Sequence, residues 1–130
     1  LSTLLSKQNR FHGLGSLNHV YKKGRIVRSP YCAMKYLVNK NADTFKVSVV
    51  VSKKIAKSAP IRNRIRRRMY EAIRSNAKLL TNQEIVVTVF DDSFLNMPYK
   101  ELEASIKRQL RDIEKACQNT YKSQPQDVIN

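Results

Sequence analysis

The chain has 130 residues, 42% of them hydrophobic, which is enough for one domain with a modest core. Its 25 Lys and Arg residues outnumber its 10 Asp and Glu residues, and the net charge of +15 indicates an anionic partner, either nucleic acid or a membrane surface. No apolar run approaches the roughly 18 residues that a membrane span requires, so nucleic acid is favoured and no membrane partner is expected.

The N-terminal segment is expected to lead into a short helix. It lacks the pattern of a secretory signal, so we expect a cytoplasmic location. Residues 1–9 are predicted to be a flexible lead-in to a single domain over residues 10–117. From Leu14 to Tyr21, apolar residues recur at helical spacing, and two lysines and a glycine at residues 22–24 are typical of a helix end.

Strands are predicted in the next part of the chain. Residues 31–38 and 45–51 are rich in β-branched and aromatic side chains. The turn-forming residues 39–43 between them suit a hairpin that would pair these two strands. Residues 25–28 are predicted to form a first strand or an extended approach to it.

The most basic part of the chain is predicted to be an amphipathic helix. Residues 52–74 contain nine Lys or Arg residues and one acid, Glu71. Ser58 or Ala59 is expected to cap the helix, with Pro60 in its first turn. One face is apolar, and the opposite face is polar or charged. The apolar residues are Ile61, Ile65, Met69, Ala72 and Ile73, and the residues roughly opposite are Asn63, Arg67, Tyr70 and Arg74.

Because a guanidinium group grips phosphate through two parallel hydrogen bonds, an arginine row on one helix favours a polyanion site. Arg62 and Arg66 fall at one margin of the apolar stripe and Arg68 at the other. A solvated run of charge is the alternative interpretation of this segment.

The C-terminal third is predicted to contain one strand and one helix. Residues 84–90 are dominated by Val and Ile and are expected to be buried on both faces of a sheet. Asp91 and Asp92 follow, as turn formers or, less favoured, as ligands of Mg²⁺. Asn96 is expected to cap a last helix with one apolar face, and residues 118–130 are predicted to be a flexible tail.

A family resemblance appears in the basic segment. Val51-Ser-Lys-Lys-Ile55, followed by Arg62-Asn-Arg-Ile-Arg-Arg67, resembles the signature of the bacterial ribonuclease P protein subunit, in which a strand ending in V-S-K-K leads to a helix opening on R-N-R. The resemblance extends to Arg10-Phe11 and to the short helix closing on lysine and glycine. The linker over residues 56–61 is about one residue longer than the commonest form and lacks its usual Gly.

The resemblance implies a fold and a function. The fold would be an α+β two-layer sandwich, with one mixed sheet of about four strands and three helices. Its β-α-β crossover through the basic helix would be left-handed, although handedness statistics favour the right-handed form. The function would be that of the protein subunit of an endoribonuclease whose catalytic RNA removes the 5′ leader of precursor tRNA. Mg²⁺ would be bound mainly through the RNA partner, and the protein would supply no catalytic residue and bind no small-molecule substrate.

The expected sites follow from the same resemblance and from the charge pattern. Residues expected to bind the catalytic RNA are Ser52, Lys53, Lys54, Arg62, Asn63, Arg64, Arg66, Arg67 and Arg68. Residues expected in a cleft for the leader are Leu17, Tyr21, Lys46 and one of the two tyrosines Tyr31 and Tyr36. Leu17 stands where the family usually has Phe and cannot stack on a base, whereas Tyr21 can. Tyr31 and Tyr36 differ in pleat parity, so they are expected to face opposite sides of the sheet.

Three alternatives to this function remain open. A ribosomal or other structural RNA-binding protein would have the same basicity and a related sandwich. A self-sufficient nuclease would require carboxylate or His clusters that the sequence does not show. A DNA-binding protein would insert Arg66–Arg68 into a major groove, which a single helix backed by a sheet fits poorly. Cys32 and Cys117 lack the neighbours of a zinc site and are predicted to be free thiols.

Overall fold

The computed structural model of the chain describes residues 9–11 and 14–129. The predicted lead-in lies outside these residues except for Asn9, whose buried amide donates hydrogen bonds to Thr44 Oγ1 (2.7 Å) and to the carbonyl of Phe45 (2.9 Å). Three helices and four strands follow in the order α1, β1, β2, β3, α2, β4 and α3. Their bounds are Leu14–Lys23, Arg25–Arg28, Cys32–Val38, Lys46–Val51, Ala59–Ser75, Gln83–Val89 and Tyr99–Ile129.

The strands form one mixed sheet in the order β1-β2-β4-β3. The antiparallel pairs are β1 with β2 and β2 with β4, and β3 runs parallel to β4. The predicted hairpin between residues 31–38 and 45–51 is therefore wrong, because β4 lies between those two strands. The physical reason is burial: six of the seven residues of β4 are buried, whereas β3 alternates between buried and half-buried residues and suits an edge. The hairpin is instead β1–β2.

The core lies between one face of the sheet and the helices α2 and α3. Alternate residues of three strands point into it: Met34 and Tyr36, Val47 and Val49, and Ile85 and Val87. This face will be called the inner face of the sheet. The outer face, which carries Lys35, Lys46 and Val86, is partly covered by α1, whose Val20 is fully buried. The predicted α+β sandwich with three helices is confirmed, and the hand of the crossover stays a prediction.

Helix α2 has the predicted apolar face, with one exception at its start. Ile65, Met69, Ala72 and Ile73 are buried, but Ile61 in the first turn is 38% exposed. The N-cap Ser58 has extended backbone and makes no side-chain capping bond, and Pro60 stands in the first turn as predicted.

Tyr70 differs from its predicted position opposite the core. Its side chain is half-buried, and its hydroxyl accepts a hydrogen bond of 3.0 Å from the backbone N–H of Val49. That N–H belongs to β3, an edge strand, whose outward donors lack a neighbouring strand. Tyr70 therefore closes part of the open sheet edge and fixes α2 along β3.

Helix α3 begins later than predicted and continues further. Asn96 ends a short 3-10 helix, Asp92–Leu95, and the carbonyl of Pro98 accepts from the N–H groups of Glu101 and Leu102 in the first turn of α3. The predicted apolar face is confirmed by the complete burial of Leu102, Ile106, Leu110 and Ile113. The backbone is helical as far as Ile129, through most of the predicted tail, whose flexibility stays a prediction. Within the described residues, no helix is long and apolar enough to span a membrane.

Both cysteines are free thiols, as predicted, and both are buried. Burial raises the pKa of Cys32 to about 11, although hydrogen bonds with Ser29 and Gln109 act in the opposite direction. Burial also raises the pKa of Cys117. Since the thiolate is the reactive form, both native thiols are expected to resist alkylation at neutral pH.

The raised pKa of Cys32 gives a testable pH dependence of stability. The folded protein holds this proton more tightly than the unfolded chain, whose thiol has an ordinary pKa of 9.0. The contribution to stability is therefore complete below pH 9 and is lost as the pH rises toward 11. We expect the free energy of unfolding in urea to fall over this range, and to fall less steeply in Cys32→Ala. If the free energy of unfolding fell equally steeply with pH in the two proteins, Cys32 would not contribute to this pH dependence.

Candidate nucleic-acid interface

The polar face of α2 presents two guanidinium groups that have no partner among the residues that the structure describes. Arg64 and Arg67 are exposed, and neither forms a hydrogen bond or ion pair within the part of the chain that the structure describes. Arg66 donates to Oδ1 of Asn63, one turn earlier. Together with Tyr70, the residues Asn63, Arg66 and Arg67 line a shallow hollow of about 210 Å³. We call Arg62, Asn63, Arg64, Arg66 and Arg67 the α2 row.

Arg62 has a second role at the corner between β3 and α2. Its Nη1 donates to the carbonyls of Ala56 and Lys57, both at 2.9 Å. The loop begins with a turn in which the carbonyl of Ser52 accepts from the N–H groups of Ile55 and Ala56. Arg62 therefore fixes this loop against the helix, and the exposed Ser52, Lys53 and Lys54 are held beside the α2 row.

Arg68 is directed inward, which the sequence pattern did not indicate. Its guanidinium donates to the carbonyls of Phe94 (2.6 Å), Leu95 (2.9 Å) and Met97. Three of its five N–H donors are thus used to join α2 to the segment that precedes α3. Its predicted contact with RNA stays a prediction, but its observed partners are carbonyls of its own chain.

The outer face of the sheet brings together part of the predicted leader cleft. Leu17 and Tyr21 are half-buried on α1, and Lys46 is half-buried on β3. Lys35 of β2 donates through Nζ to the carbonyl of Tyr21 (3.0 Å) and lies 5.6 Å from the centre of its ring. This ammonium group, absent from the predicted set, fixes the end of α1 against the sheet and adds positive charge beside Tyr21.

Tyr31 and Tyr36 do not join Tyr21 on the outer face. Tyr36 is buried in the core beneath α2 and α3. Tyr31 lies before the first residue of β2, in a bend where strand parity does not hold, and its ring packs 5.2 Å from that of the buried Phe94. The expectation that the two tyrosines face opposite sides of the sheet is wrong, because both contact the core, and a contact of either with the leader stays a prediction.

Phe90 is an exposed aromatic residue for which the sequence predicted only a place at the end of a strand. It is 43% exposed, and its N–H donates to the carbonyl of Tyr31 (3.1 Å), which extends the ladder between β2 and β4. Phe90 follows the last residue of β4, and continued alternation of that strand predicts that its side chain lies on the outer face, in line with Val86 and Thr88. Because Val51 pairs with Val89, Phe90 lies at the same end of the sheet as Ser52 and the two lysines after it.

The two acids after β4 have a structural role. Asp91 accepts from the hydroxyl of Ser93 (2.6 Å) and from its backbone N–H (2.8 Å), and these bonds lower the pKa of the Asp91 carboxyl. They cap the 3-10 helix Asp92–Leu95. Within residues 9–11 and 14–129, no group of three or more His, Cys, Asp or Glu side chains is placed to hold a metal ion.

A family model described as Ribonuclease P matches residues 5–124 of the chain. The chain belongs to the ribonuclease P protein family. The resemblance seen in the sequence is thereby confirmed.

Individual members of the ribonuclease P family show the same relationship. The ribonuclease P protein component of Clostridioides difficile is 36% identical over 104 residues, which cover 76% of this chain and 89% of that protein. The component from Pseudanabaena sp. is 36% identical over 87 residues, covering 66% and 75% of the two chains. A mutant of the Staphylococcus aureus RNase P protein has the same fold, with a TM-score of 0.74, 24% identity and coverage of 83% and 90%.

Proposed function

We propose that this chain is the protein subunit of a ribonuclease P holoenzyme, which removes the 5′ leader of precursor tRNA in the cytoplasm. It would bind the catalytic RNA through the α2 row and the corner Ser52–Lys54, and the leader through the outer face of the sheet. The observation that carries this proposal is the α2 row itself. In a member of this family, it holds Arg64 and Arg67 without a partner among the described residues, on a helix whose opposite face is buried.

The protein's contribution would be physical rather than chemical. Guanidinium groups neutralise phosphate repulsion, which stabilises the folded RNA and raises the local concentration of metal ions around it. Among the described residues, no three or more His, Cys, Asp or Glu side chains are grouped so that they could hold Mg²⁺. The Mg²⁺ that cleaves the phosphodiester would be held mainly by the RNA.

The outer face suits a single-stranded leader. Tyr21, Lys35 and Lys46 combine one aromatic ring with two cations, the pattern by which proteins bind single strands with little sequence preference. Phe90 would add a second aromatic ring at the far end of the cleft. This ring would compensate for Leu17, whose side chain cannot stack on a base. Binding the leader favours precursor over product, since mature tRNA lacks it.

Reconstitution tests this proposal. The protein alone is expected to leave precursor tRNA uncut, and addition of the cognate catalytic RNA at low Mg²⁺ is expected to give cleavage at the mature 5′ end. The RNA alone under the same conditions is the control. Cleavage by protein alone would indicate a self-sufficient nuclease, and absence of stimulation would indicate a structural RNA-binding protein.

The leader contact is tested with the same assembled enzyme. Phe90→Ala is expected to reduce the preference for precursor over mature tRNA about tenfold, because one stacked base is lost. Ile61→Ala is the matched control, since Ile61 is similarly exposed but lies on α2, on the opposite side of the sheet from the outer face. An unchanged preference in Phe90→Ala would exclude this residue from the cleft and leave the α2 row unaffected.

A further inference from the structure

A second cationic groove lies along α3, apart from the α2 row. The turn between β1 and β2 forms one wall, through Arg28 and Tyr31, and α3 forms the other, through Ala104, Arg108 and Asp112. Together they enclose a cavity of about 490 Å³. A hollow of about 430 Å³ shares the same three residues of α3 and continues along the helix past Lys107, Arg111 and Lys115. We call this continuous surface the α3 groove.

Among the residues that the structure describes, the charges of the α3 groove are not neutralised by ion pairs. Five cations and one acid, Asp112, line it, which gives a net charge of +4. None of these six side chains makes a hydrogen bond or ion pair with any described residue. Arg108, Arg111 and Lys115 lie on successive turns of one exposed stripe, so their charges repel each other at short range. An anionic ligand would relieve that repulsion.

The walls of the α3 groove are held in place by a buried amide. Gln109 is 2% exposed and donates through Nε2 to the carbonyls of Val27 (3.2 Å) and Cys32 (3.4 Å). Its Oε1 accepts from the thiol of Cys32 (3.2 Å). The turn is fixed in addition by Ser29, whose hydroxyl accepts from the N–H groups of Tyr31 and Cys32. Because Arg28 and Arg108 flank this network, little ordering of backbone would be needed on binding.

The α3 groove and the α2 row lie in the same helical layer but over opposite edges of the sheet. Tyr70 fixes α2 along β3, whereas Arg28 belongs to β1, at the other end of the strand order. Three inter-strand spacings of about 4.8 Å separate these edges, about 14 Å in all. One phosphate group cannot contact both surfaces, but a folded RNA lying across the helical layer can.

We propose that the α3 groove binds the phosphate backbone of a second segment of the catalytic RNA, different from the segment held by the α2 row. This inference rests on the proposed function. The catalytic RNA is favoured over the leader because the groove lies on the helix side of the sheet, opposite the face that carries Tyr21 and Lys46. Two contacts on one rigid protein would raise the affinity beyond that of either alone.

A pair of double variants tests the contact by its salt dependence. Arg108→Ala with Arg111→Ala is expected to weaken binding of the cognate catalytic RNA about tenfold or more, and to flatten the slope of log K against log salt by about 1.5. Lys40→Ala with Lys78→Ala removes the same charge from exposed sites elsewhere and is the matched control. Since Ala is favoured in helices, the test variant is expected to fold, which thermal unfolding checks.

A tethered probe locates the contact on the RNA. Ala104 is exposed and lines both parts of the α3 groove, and both native thiols are buried with a raised pKa, so Ala104→Cys provides one reactive site. A radical-generating iron chelate attached there is expected to cut the catalytic RNA within the holoenzyme. The cuts should fall at nucleotides different from those cut from the same reagent on Ile61→Cys, in the first turn of α2.

The outcomes separate this inference from the proposed function. If Arg64→Ala with Arg67→Ala weakens binding but the α3 variant matches its control, the α3 groove is not a contact and the proposed function stands. If neither variant affects binding of the catalytic RNA, the proposed function fails as well. A loss confined to precursor tRNA, or capture of an acidic protein with unchanged RNA binding, would overturn the assignment of this groove to the catalytic RNA.

Discussion

Replacing Arg64 and Arg67 with Ala is expected to weaken binding of the catalytic RNA about 100-fold near physiological salt. Both guanidinium groups are exposed and unpaired within the described residues, so their full hydrogen-bonding capacity is available to phosphate. A charge-assisted bond is worth roughly 1.5–3 kcal/mol, at least tenfold per contact. The slope of log K against log salt should become shallower by about 1.4–1.8. Equilibrium binding from about 0.1 to 0.5 M salt measures both quantities.

The control for this experiment must remove charge without touching the helix face. Lys40→Ala with Lys78→Ala lowers the net charge by the same two units at exposed positions outside α2. Its effect on the salt slope is expected to be small, because a contact at short range releases counterions and a distant charge does not. If the control and the α2 variant lose the same affinity, then binding follows net charge alone and the α2 row is not a site.

The parts of the fold that local patterns determine were predicted well. The apolar stripe of α2 and that of α3 are period-3.6 patterns, and all but Ile61 of the α2 stripe are buried. The continuous Val and Ile run of β4 indicated a strand buried on both faces, which it is. The order of the strands in the sheet was predicted wrongly. Residues 39–43 have turn chemistry, but turn chemistry does not determine which strand pairs with which, and the more apolar β4 takes the central position between β2 and β3.

The candidate site shows the same division between local and long-range information. Arg67 and Arg68 are adjacent in the sequence and equally charged, yet one faces solvent and the other faces carbonyl groups 26 to 29 residues further along the chain. No pattern within α2 distinguishes them, because the difference depends on where the segment before α3 folds. The α3 groove was missed for a similar reason. Arg28 and Arg108 are brought together only by the packing of α3 on the β1–β2 turn.

Replacing Arg68 with Ala is expected to lower the free energy of unfolding by about 3 kcal/mol. The change leaves the carbonyls of Phe94, Leu95 and Met97 without their donor, beside a fully buried Phe94, and each carbonyl left unpaired costs roughly 1 kcal/mol or more. For a chain of this length the midpoint of thermal unfolding should fall by about 10 °C. Urea unfolding with an unchanged m value measures the loss.

Arg67→Ala is the matched control for Arg68, since the two residues are adjacent and, of the two, only Arg68 has partners among the residues that the structure describes. Its stability is expected to be unchanged or slightly raised, as Ala is the better helix former. In RNA binding we expect the reverse order of effects. Arg67→Ala should flatten the slope of log K against log salt, whereas Arg68→Ala, assayed well below its unfolding midpoint, should leave that slope nearly unchanged. An Arg68→Ala protein as stable as Arg67→Ala would contradict the bracing role. A flattened slope in Arg68→Ala would show that Arg68 contacts an RNA phosphate, because only a group that contacts RNA changes the number of counterions released.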